Sequence, residues 1–170
     1  ARKFQTLYPK NENIAYIDFL IAMTFYEQVQ IVARDQTYTK AALKEFKNII
    51  EKYPNSKYSK ESRLKIDLID EQLAGKHMYL ARFYMKKSKW ISAIRRLNII
   101  LEDYPETIYT IETLHRLVEI YYKLGNISLA KKYAATLGYN FNDSDWYKKT
   151  YKVVVDQNYE SDTKKTKIKL

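Results

Sequence analysis

Five positions, in the order small, apolar, apolar, aromatic and turn-forming, recur along the chain at constant offsets. In the clearest copy they are Ala93, Leu97, Ile100, Tyr104 and Pro105. At an offset of 51 residues towards the N-terminus they are Ala42, Phe46, Ile49, Tyr53 and Pro54. At an offset of 37 residues in the other direction they are Ala130, Ala134, Leu137, Phe141 and Asn142. Because all five positions move together, the chain is predicted to be an array of repeated units.

The spacing within each copy predicts helices. Residues four and seven positions apart lie on one face of an α-helix, so the alanine and the two apolar residues would share a buried face. Alanine lets two helices approach closely, and proline ends a helix because it cannot continue the hydrogen-bond ladder. The pattern resembles the tetratricopeptide repeat, a helical hairpin of about 34 residues. The predicted repeat turns are at Pro9, Pro54 and Pro105.

The predicted fold is all-α, a tetratricopeptide-like helical hairpin array (an α-solenoid) of about three repeats plus a partial one. One long helix near residues 57–87 is predicted to be shared by two adjacent repeats, and Gly75 marks a place where it could bend. Residues 1–155 are predicted to form a single domain, followed by a polar, flexible tail over residues 156–170. Because Phe4–Pro9 resembles the end of a second helix, the chain is expected to start within a repeat of a longer protein.

The segment from about Asn13 to Arg34 is predicted to be a helix that is apolar on almost every side, interrupted by Asp18 and Thr24. Its apolar run is too short for a bilayer, which needs about 20 apolar residues. A helix that is apolar all round is normally enclosed by other helices. This helix is therefore predicted to lie in the core between repeats.

Helix ends are predicted from capping residues. Three hydroxyl residues share one position after the repeat turn and are predicted N-caps. They are Ser56, Thr107 and Ser144. Gly125 is predicted to end one helix in the left-handed conformation, and Gly138 to end the next. A last helix over residues 144–155 is predicted to close the final repeat.

The composition narrows the function classes. Three glycines and three prolines in 170 residues leave little room for β-hairpin turns or a phosphate-binding loop. Without cysteine, the chain can form no disulfide and no thiolate metal site. The net charge of +10 would suit nucleic acid or an anionic membrane. Acidic residues interleave with the basic ones, however, and richness in Lys, Ile, Asn and Tyr is typical of AT-rich genomes, so no nucleic-acid partner is predicted.

No residue spacing typical of a catalytic site is present, and neither an enzymatic activity nor a cofactor is predicted. His115 has Glu112 and Glu119 at helical spacing, which could in principle hold a metal. Because closed metal sites need more ligands, these side chains are instead predicted to be exposed and free of metal. A second acidic cluster is predicted to be a solvated face. Its members are Asp67, Asp70 and Glu71.

The chain also resembles a particular family, the BamD (ComL) lipoproteins of outer-membrane-protein assembly. The resemblance covers about residues 6–147 and consists of a YPNS-Y turn, a long helix, a Trp corner and a second YP turn. These positions are Tyr53, Pro54, Asn55, Ser56, Tyr58, Ala81, Phe83, Tyr84, Lys87, Trp90, Arg96, Tyr104, Pro105 and Thr107. The family usually has Arg at the position of Lys87 and Gly at that of Ser88, so contacts that need a planar guanidinium are in doubt at Lys87.

The resemblance implies a non-enzymatic scaffold of the β-barrel assembly (BAM) machinery at the periplasmic face of the bacterial outer membrane. The implied partners are the POTRA region of BamA, other BAM subunits and unfolded outer-membrane proteins. The full-length protein would be anchored by an N-terminal lipid that this chain lacks. Two alternatives are a tetratricopeptide adaptor of another periplasmic complex and, less favoured, a basic nucleic-acid-binding helical protein.

Candidate site residues follow from the resemblance and the repeat pattern. The predicted BamA-binding residues are Arg96, Arg95, Lys87, Tyr122 and Lys123. Arg96 could bind a partner carboxylate in a bidentate manner, or it could pair within the chain with an acid such as Glu119. The predicted repeat-packing residues are Ala42, Phe46, Ile49, Ala81, Tyr84, Trp90, Ala93, Leu97, Ile100, Tyr121, Ala130 and Leu137.

Overall fold

The computed structural model describes residues 2–7, 11, 13–31 and 36–155, which form helices joined by turns and contain no strand. The helices are α1 (Arg2–Leu7), α2 (Ile14–Ile31), α3 (Gln36–Lys52), α4 (Lys57–Lys86), α5 (Trp90–Asp103), α6 (Tyr109–Lys123), α7 (Ile127–Asn140) and α8 (residues 145–155). The predicted all-α class and the long helix near residues 57–87 are therefore confirmed. Pro9 and the predicted tail over residues 156–170 lie outside the described residues.

The chain divides into two compact units, Ala1–Asp70 and Glu71–Leu170. In the first unit α2 packs against α3. Phe46 of α3 is fully buried, and its ring centroid lies 6.0 Å from that of Phe19 on α2. Asp18 interrupts the apolar run of α2 because its carboxylate accepts a hydrogen bond from the Tyr53 hydroxyl at 3.0 Å.

The prediction that α2 is enclosed on all sides is not met within the first unit. Tyr16 and Leu20 are 42 % and 39 % exposed, whereas Ala22 is fully buried. Tyr16 instead packs against Tyr58, with ring centroids 5.6 Å apart. Within the described residues α2 therefore buries one side against α3 and leaves the other partly open.

Three helices end with the same geometry at the predicted repeat positions. The backbone N–H groups of Tyr53, Tyr104 and Phe141 donate to the carbonyl oxygens of Ile49, Ile100 and Leu137 at 2.9, 3.0 and 2.9 Å. The small residue of each copy has no accessible surface. These residues are Ala42, Ala93 and Ala130. A larger side chain at these positions would force the packed helices apart.

Two of the three predicted caps are confirmed. The hydroxyl of Ser56 accepts from the N–H of Ser59, and that of Ser144 from the N–H of Tyr147, both at 3.1 Å. The prediction for Thr107 is wrong, because the residue that precedes α6 is Ile108 and this helix start has no side-chain cap. The Thr107 hydroxyl donates to the Tyr104 carbonyl at 2.9 Å. The N–H of Ile108 has a side-chain acceptor on another helix, described below.

The glycines differ in what they do. Gly125 has φ +76° and ends α6, as predicted. Gly138 does not end α7, which continues to Asn140. A Cβ on Gly138 would lie 2.9 Å from a ring carbon of Tyr147, so this glycine makes room for α8. Gly75 lies inside the continuous α4, where a Cβ would meet the Tyr109 hydroxyl at 2.9 Å.

Candidate partner-binding site and the polar network beside it

The second unit has an apolar core built from α4, α5 and α6. Its buried members include Ala81, Ala93, Leu97, Ile100 and Ile120. Half-buried aromatic residues pack against this core, and three of them lie beside the turns that follow α4 and α6. These three are Tyr84, Trp90 and Tyr121. The core therefore fixes the two corners at which the candidate site residues lie.

The two corners have the same hydrogen bonds. After α4, the N–H of Ser88 donates to Met85 O and that of Lys89 to Tyr84 O, both at 2.9 Å. After α6, the equivalent N–H groups of Gly125 and Asn126 donate to Tyr122 O at 3.0 Å and to Tyr121 O at 2.9 Å. This pattern is the Schellman motif, which needs one residue in the left-handed conformation. Ser88 adopts it with φ +54° and Gly125 with φ +76°.

The corners are joined by a cation–π contact. The Lys123 ammonium at the end of α6 lies 5.0 Å from the ring centroid of Trp90 at the start of α5. Lys87 and Arg95 are exposed near the first corner. No acidic residue occurs in residues 86–101 or 120–142. The surface that carries Lys87, Arg95 and Lys123 is called the Trp90 corner below. The two segments that form it contain basic but no acidic side chains, so they contribute only positive charge.

Arg96 is half-buried on α5, beside His77 of α4. Burial and the nearby Arg96 lower the pKa of His77, whose ring stacks on Tyr104 with centroids 6.1 Å apart. Among the described residues, Arg96 forms no ion pair with a carboxylate. Glu119, the acid considered for an internal pair, instead accepts from Arg116 at 2.8 Å.

Tyr122 lies beneath the surface. It is 7 % exposed and packs with Val118 and Ala130. Burial raises the pKa of its hydroxyl. A direct partner contact through the Tyr122 ring, as predicted from the sequence, would require this side chain to leave its cluster.

The residues around His115 form a buried polar network, so the prediction that His115 and Glu112 are exposed is wrong. They are 3 % and 5 % exposed. The Glu112 carboxylate accepts from Arg82 of α4 and from Arg116 one turn further along α6, with Nε–oxygen distances of 3.0 and 3.1 Å. Two guanidinium groups therefore neutralise a carboxylate that would otherwise be costly to bury.

Glu119 continues this network. Burial raises the pKa of Glu119, but its interactions with His115 and Arg116 outweigh burial and lower the pKa to about 2. The His115 Nε2 lies 3.6 Å from the Glu119 carboxylate, and Nδ1 lies 2.8 Å from the Thr150 hydroxyl of α8. No group of three or more His, Cys, Asp or Glu side chains in the described part of the chain could hold a metal ion.

The second acidic cluster is not uniformly solvated. Glu71 Oε1 accepts a hydrogen bond at 3.0 Å from the backbone N–H of Ile108, the residue that precedes α6. Burial is the largest influence on Asp70 and raises the pKa of its carboxyl group. Asp67 alone of the three is exposed.

Sequence reasoning missed the link between Arg82 and Glu112. The partners of Glu112 and Glu119 on α6 could have been found, because Arg116 stands at helical spacing from both. Arg82 and Thr150 belong to other helices, and nothing in the local sequence connects them to α6.

Helical hairpins with repeated helix ends, an apolar core and a basic corner define an all-α repeat protein of the tetratricopeptide type. No helix within residues 2–7, 13–31 or 36–155 has the length and hydrophobicity needed to cross a membrane. The sequence profile of the YfiO family, described as an outer membrane lipoprotein, matches residues 1–137. The chain therefore belongs to the YfiO family of outer membrane lipoproteins.

Curated relatives share the name outer membrane protein assembly factor BamD. The Rickettsia prowazekii protein is 42 % identical over 158 residues, covering 93 % of this chain and 62 % of the relative. The Caulobacter vibrioides protein is 40 % identical over 156 residues, covering 92 % of this chain and 51 % of the relative. A Neisseria meningitidis protein is 29 % identical over 152 residues, covering 84 % and 57 %. The chain thus spans between half and two thirds of the length of these relatives.

Proposed function

We propose that this chain is a non-enzymatic scaffold subunit of the outer-membrane β-barrel assembly machinery. It binds the periplasmic POTRA region of BamA through the Trp90 corner and Arg96, and the whole protein helps to deliver unfolded outer-membrane proteins. The family membership and the assembly-factor names of the relatives support the general role. It acts at the periplasmic face of the outer membrane, alongside the other BAM subunits.

One observation carries the choice of this surface. Lys123 lies over Trp90, which brings two helix corners together, and neither corner segment contains an acidic residue. Arg96 lies on the same helix as Trp90 and has no carboxylate partner among the described residues. Its guanidinium can therefore form a bidentate, charge-assisted pair with a partner carboxylate.

Two other functions remain in competition. An adaptor of another periplasmic complex would use the same repeat architecture for a different partner. A nucleic-acid-binding protein would use the net charge of +10, and its affinity would fall steeply with salt.

Retention on two matrices at physiological salt separates these functions. The proposal predicts that the chain is retained on immobilised POTRA domains of BamA and elutes early from heparin. Strong retention on heparin, lost steeply as salt rises, would favour nucleic acid. Retention on neither matrix would favour an adaptor for another partner.

A further inference from the structure

Helix α8 (residues 145–155) lies beyond the region matched by the family profile, which ends at residue 137. It nevertheless makes specific contacts with α6. Thr150 is 1 % exposed, and its hydroxyl lies 2.8 Å from Nδ1 of the buried His115. With the imidazole proton on Nε2, which faces Glu119, Nδ1 accepts the hydrogen bond that the threonine donates.

Trp146 provides a second point of attachment. Its ring centroid lies 5.1 Å from that of His115, and the Arg116 guanidinium carbon lies 5.2 Å from it. Arg116 is itself held by Glu112 and Glu119. The tryptophan therefore packs against side chains whose positions are already fixed by ion pairs.

Apolar contacts extend the attachment to the end of α6. Val153 and Val154 pack against the cluster that contains Val118, Tyr122 and Ala130. The carbonyl oxygen of Tyr122 accepts the Gly125 N–H in the second corner. The next residue is Lys123, whose ammonium lies over Trp90. A continuous path of contacts thus leads from α8 to the candidate partner-binding site.

We infer that α8 is a clip that positions the last turn of α6, and thereby the Lys123–Trp90 contact, with Thr150 and Trp146 as its positioning residues. The inference rests on the proposed function for the role of the Trp90 corner, but the clip itself is defined by the contacts of α8. When α8 is detached, the cluster that contains Tyr122 loses Val153 and Val154. The hydrogen bonds that the N–H groups of Gly125 and Asn126 make in the corner after α6 then open more often.

The test uses the whole chain and compares Thr150→Val with wild type. Valine keeps the shape of threonine but removes the hydroxyl, so His115 Nδ1 loses its partner. Thr150→Ser, which keeps the hydroxyl, should restore wild-type behaviour, and the exposed Lys152→Ala serves as the control on the same helix. Amide exchange is followed for α8, for Gly125 and Asn126 in the corner, and for the core of α4 as a measure of global folding.

The clip predicts that Thr150→Val speeds exchange in α8 and at Gly125 and Asn126 together, by about tenfold, while α4 stays protected. The NMR signal of the Trp90 indole N–H is identified as the one that remains in Trp146→Phe. In Thr150→Val this signal should move towards the position that it has in Lys123→Ala. Faster exchange in α8 alone, with an unchanged Trp90 signal, would overturn the inference.

If Thr150→Val does not fold, the inference is tested by amide exchange on the wild-type chain instead. In increasing denaturant below the unfolding transition, α8 and the amides of Gly125 and Asn126 should share one opening reaction. Separate openings would again contradict the clip. Binding to POTRA domains, expected to weaken about fivefold or more in Thr150→Val, is measured separately. If wild type does not bind, the proposed function fails while the exchange data still decide the clip.

Discussion

The carboxylate of Glu71 accepts the backbone N–H of Ile108, which lies 37 residues further along the chain, at 3.0 Å. Ile108 precedes α6 and has no side-chain cap of its own. In a capping box, a Glu or Gln of the first helical turn accepts the N–H of the residue that precedes the helix. Glu71 provides that acceptor from α4 and places negative charge at the start of α6, which the helix dipole favours.

Glu71→Ala should therefore destabilise the second unit. The expected loss in the free energy of unfolding is about 1 kcal/mol, as for removal of an N-cap. Glu71→Gln should lose less, because its amide oxygen still accepts the hydrogen bond. Urea unfolding measures both, with Glu61→Ala, an exposed position on the same helix, as the control. Equal effects of the alanine variants at positions 61 and 71 would show that the cap contributes nothing.

Ser88 is predicted to be a site at which glycine stabilises the chain. Its φ of +54° is a conformation that costs a residue with a Cβ about 1 kcal/mol or more. Ser88→Gly should raise the free energy of unfolding by roughly that amount, and Gly125→Ala, at the equivalent corner, should lower it. Thermal unfolding of the two variants tests whether the two substitutions have these opposite effects. A lower melting temperature for Ser88→Gly would contradict this prediction.

Gly138→Ala should destabilise the chain although alanine favours helices. In an open helix this change would add about 1 kcal/mol of stability. Here the new methyl group would lie 2.9 Å from the Tyr147 ring, so the ring, or α8 with it, must shift. A double-mutant cycle with Tyr147→Ala should recover the gain in helix stability. If Gly138→Ala stabilises the chain even with Tyr147 in place, the contact between α7 and α8 is not close.

The local features of the fold could be predicted from the sequence, and the features that depend on a distant helix could not. The alanine and the aromatic helix end of each repeat could be predicted because their spacing recurs along the chain, and the left-handed Gly125 because its turn is set by adjacent residues. Gly138 carries the same local signal as a helix end, but Tyr147 of the next helix gives it a different role. The bond from Glu71 to Ile108 and the pair of Arg82 with Glu112 join separate elements, which residue spacing does not reveal.

The candidate site divides in the same way. Lys87, Arg95 and Arg96 could be named because they flank Trp90 in a recognisable family pattern. The burial of Tyr122 could not be predicted, because its cluster includes residues of α7 and α8 as well as α6.

Glu119 should give the chain a distinct sensitivity to acid. Its pKa is about 2, below the usual value of 4.5 for a glutamate side chain. A carboxylate with a lowered pKa stabilises the folded state fully above its unfolded pKa, and this contribution is lost as the pH falls through the folded pKa. The stability of wild type should therefore fall between about pH 4.5 and pH 2, and Glu119→Gln should flatten that part of the curve.

Urea unfolding at several pH values in this window measures the effect. The exposed Glu51→Gln is the control, since it should leave the slope of the wild-type curve unchanged. Parallel curves for wild type and Glu119→Gln would show that the Arg116 and His115 interactions do not stabilise the carboxylate.

The central claim is that this chain holds BamA through the surface around Trp90 and Arg96. Calorimetric titration of the BamA POTRA region into the chain tests it most directly, comparing wild type with Arg96→Glu and with Arg63→Glu, an exposed arginine on α4. The account predicts binding by wild type and Arg63→Glu and at least about tenfold weaker binding by Arg96→Glu with unchanged helical content. Equal affinity of Arg96→Glu and wild type would contradict it.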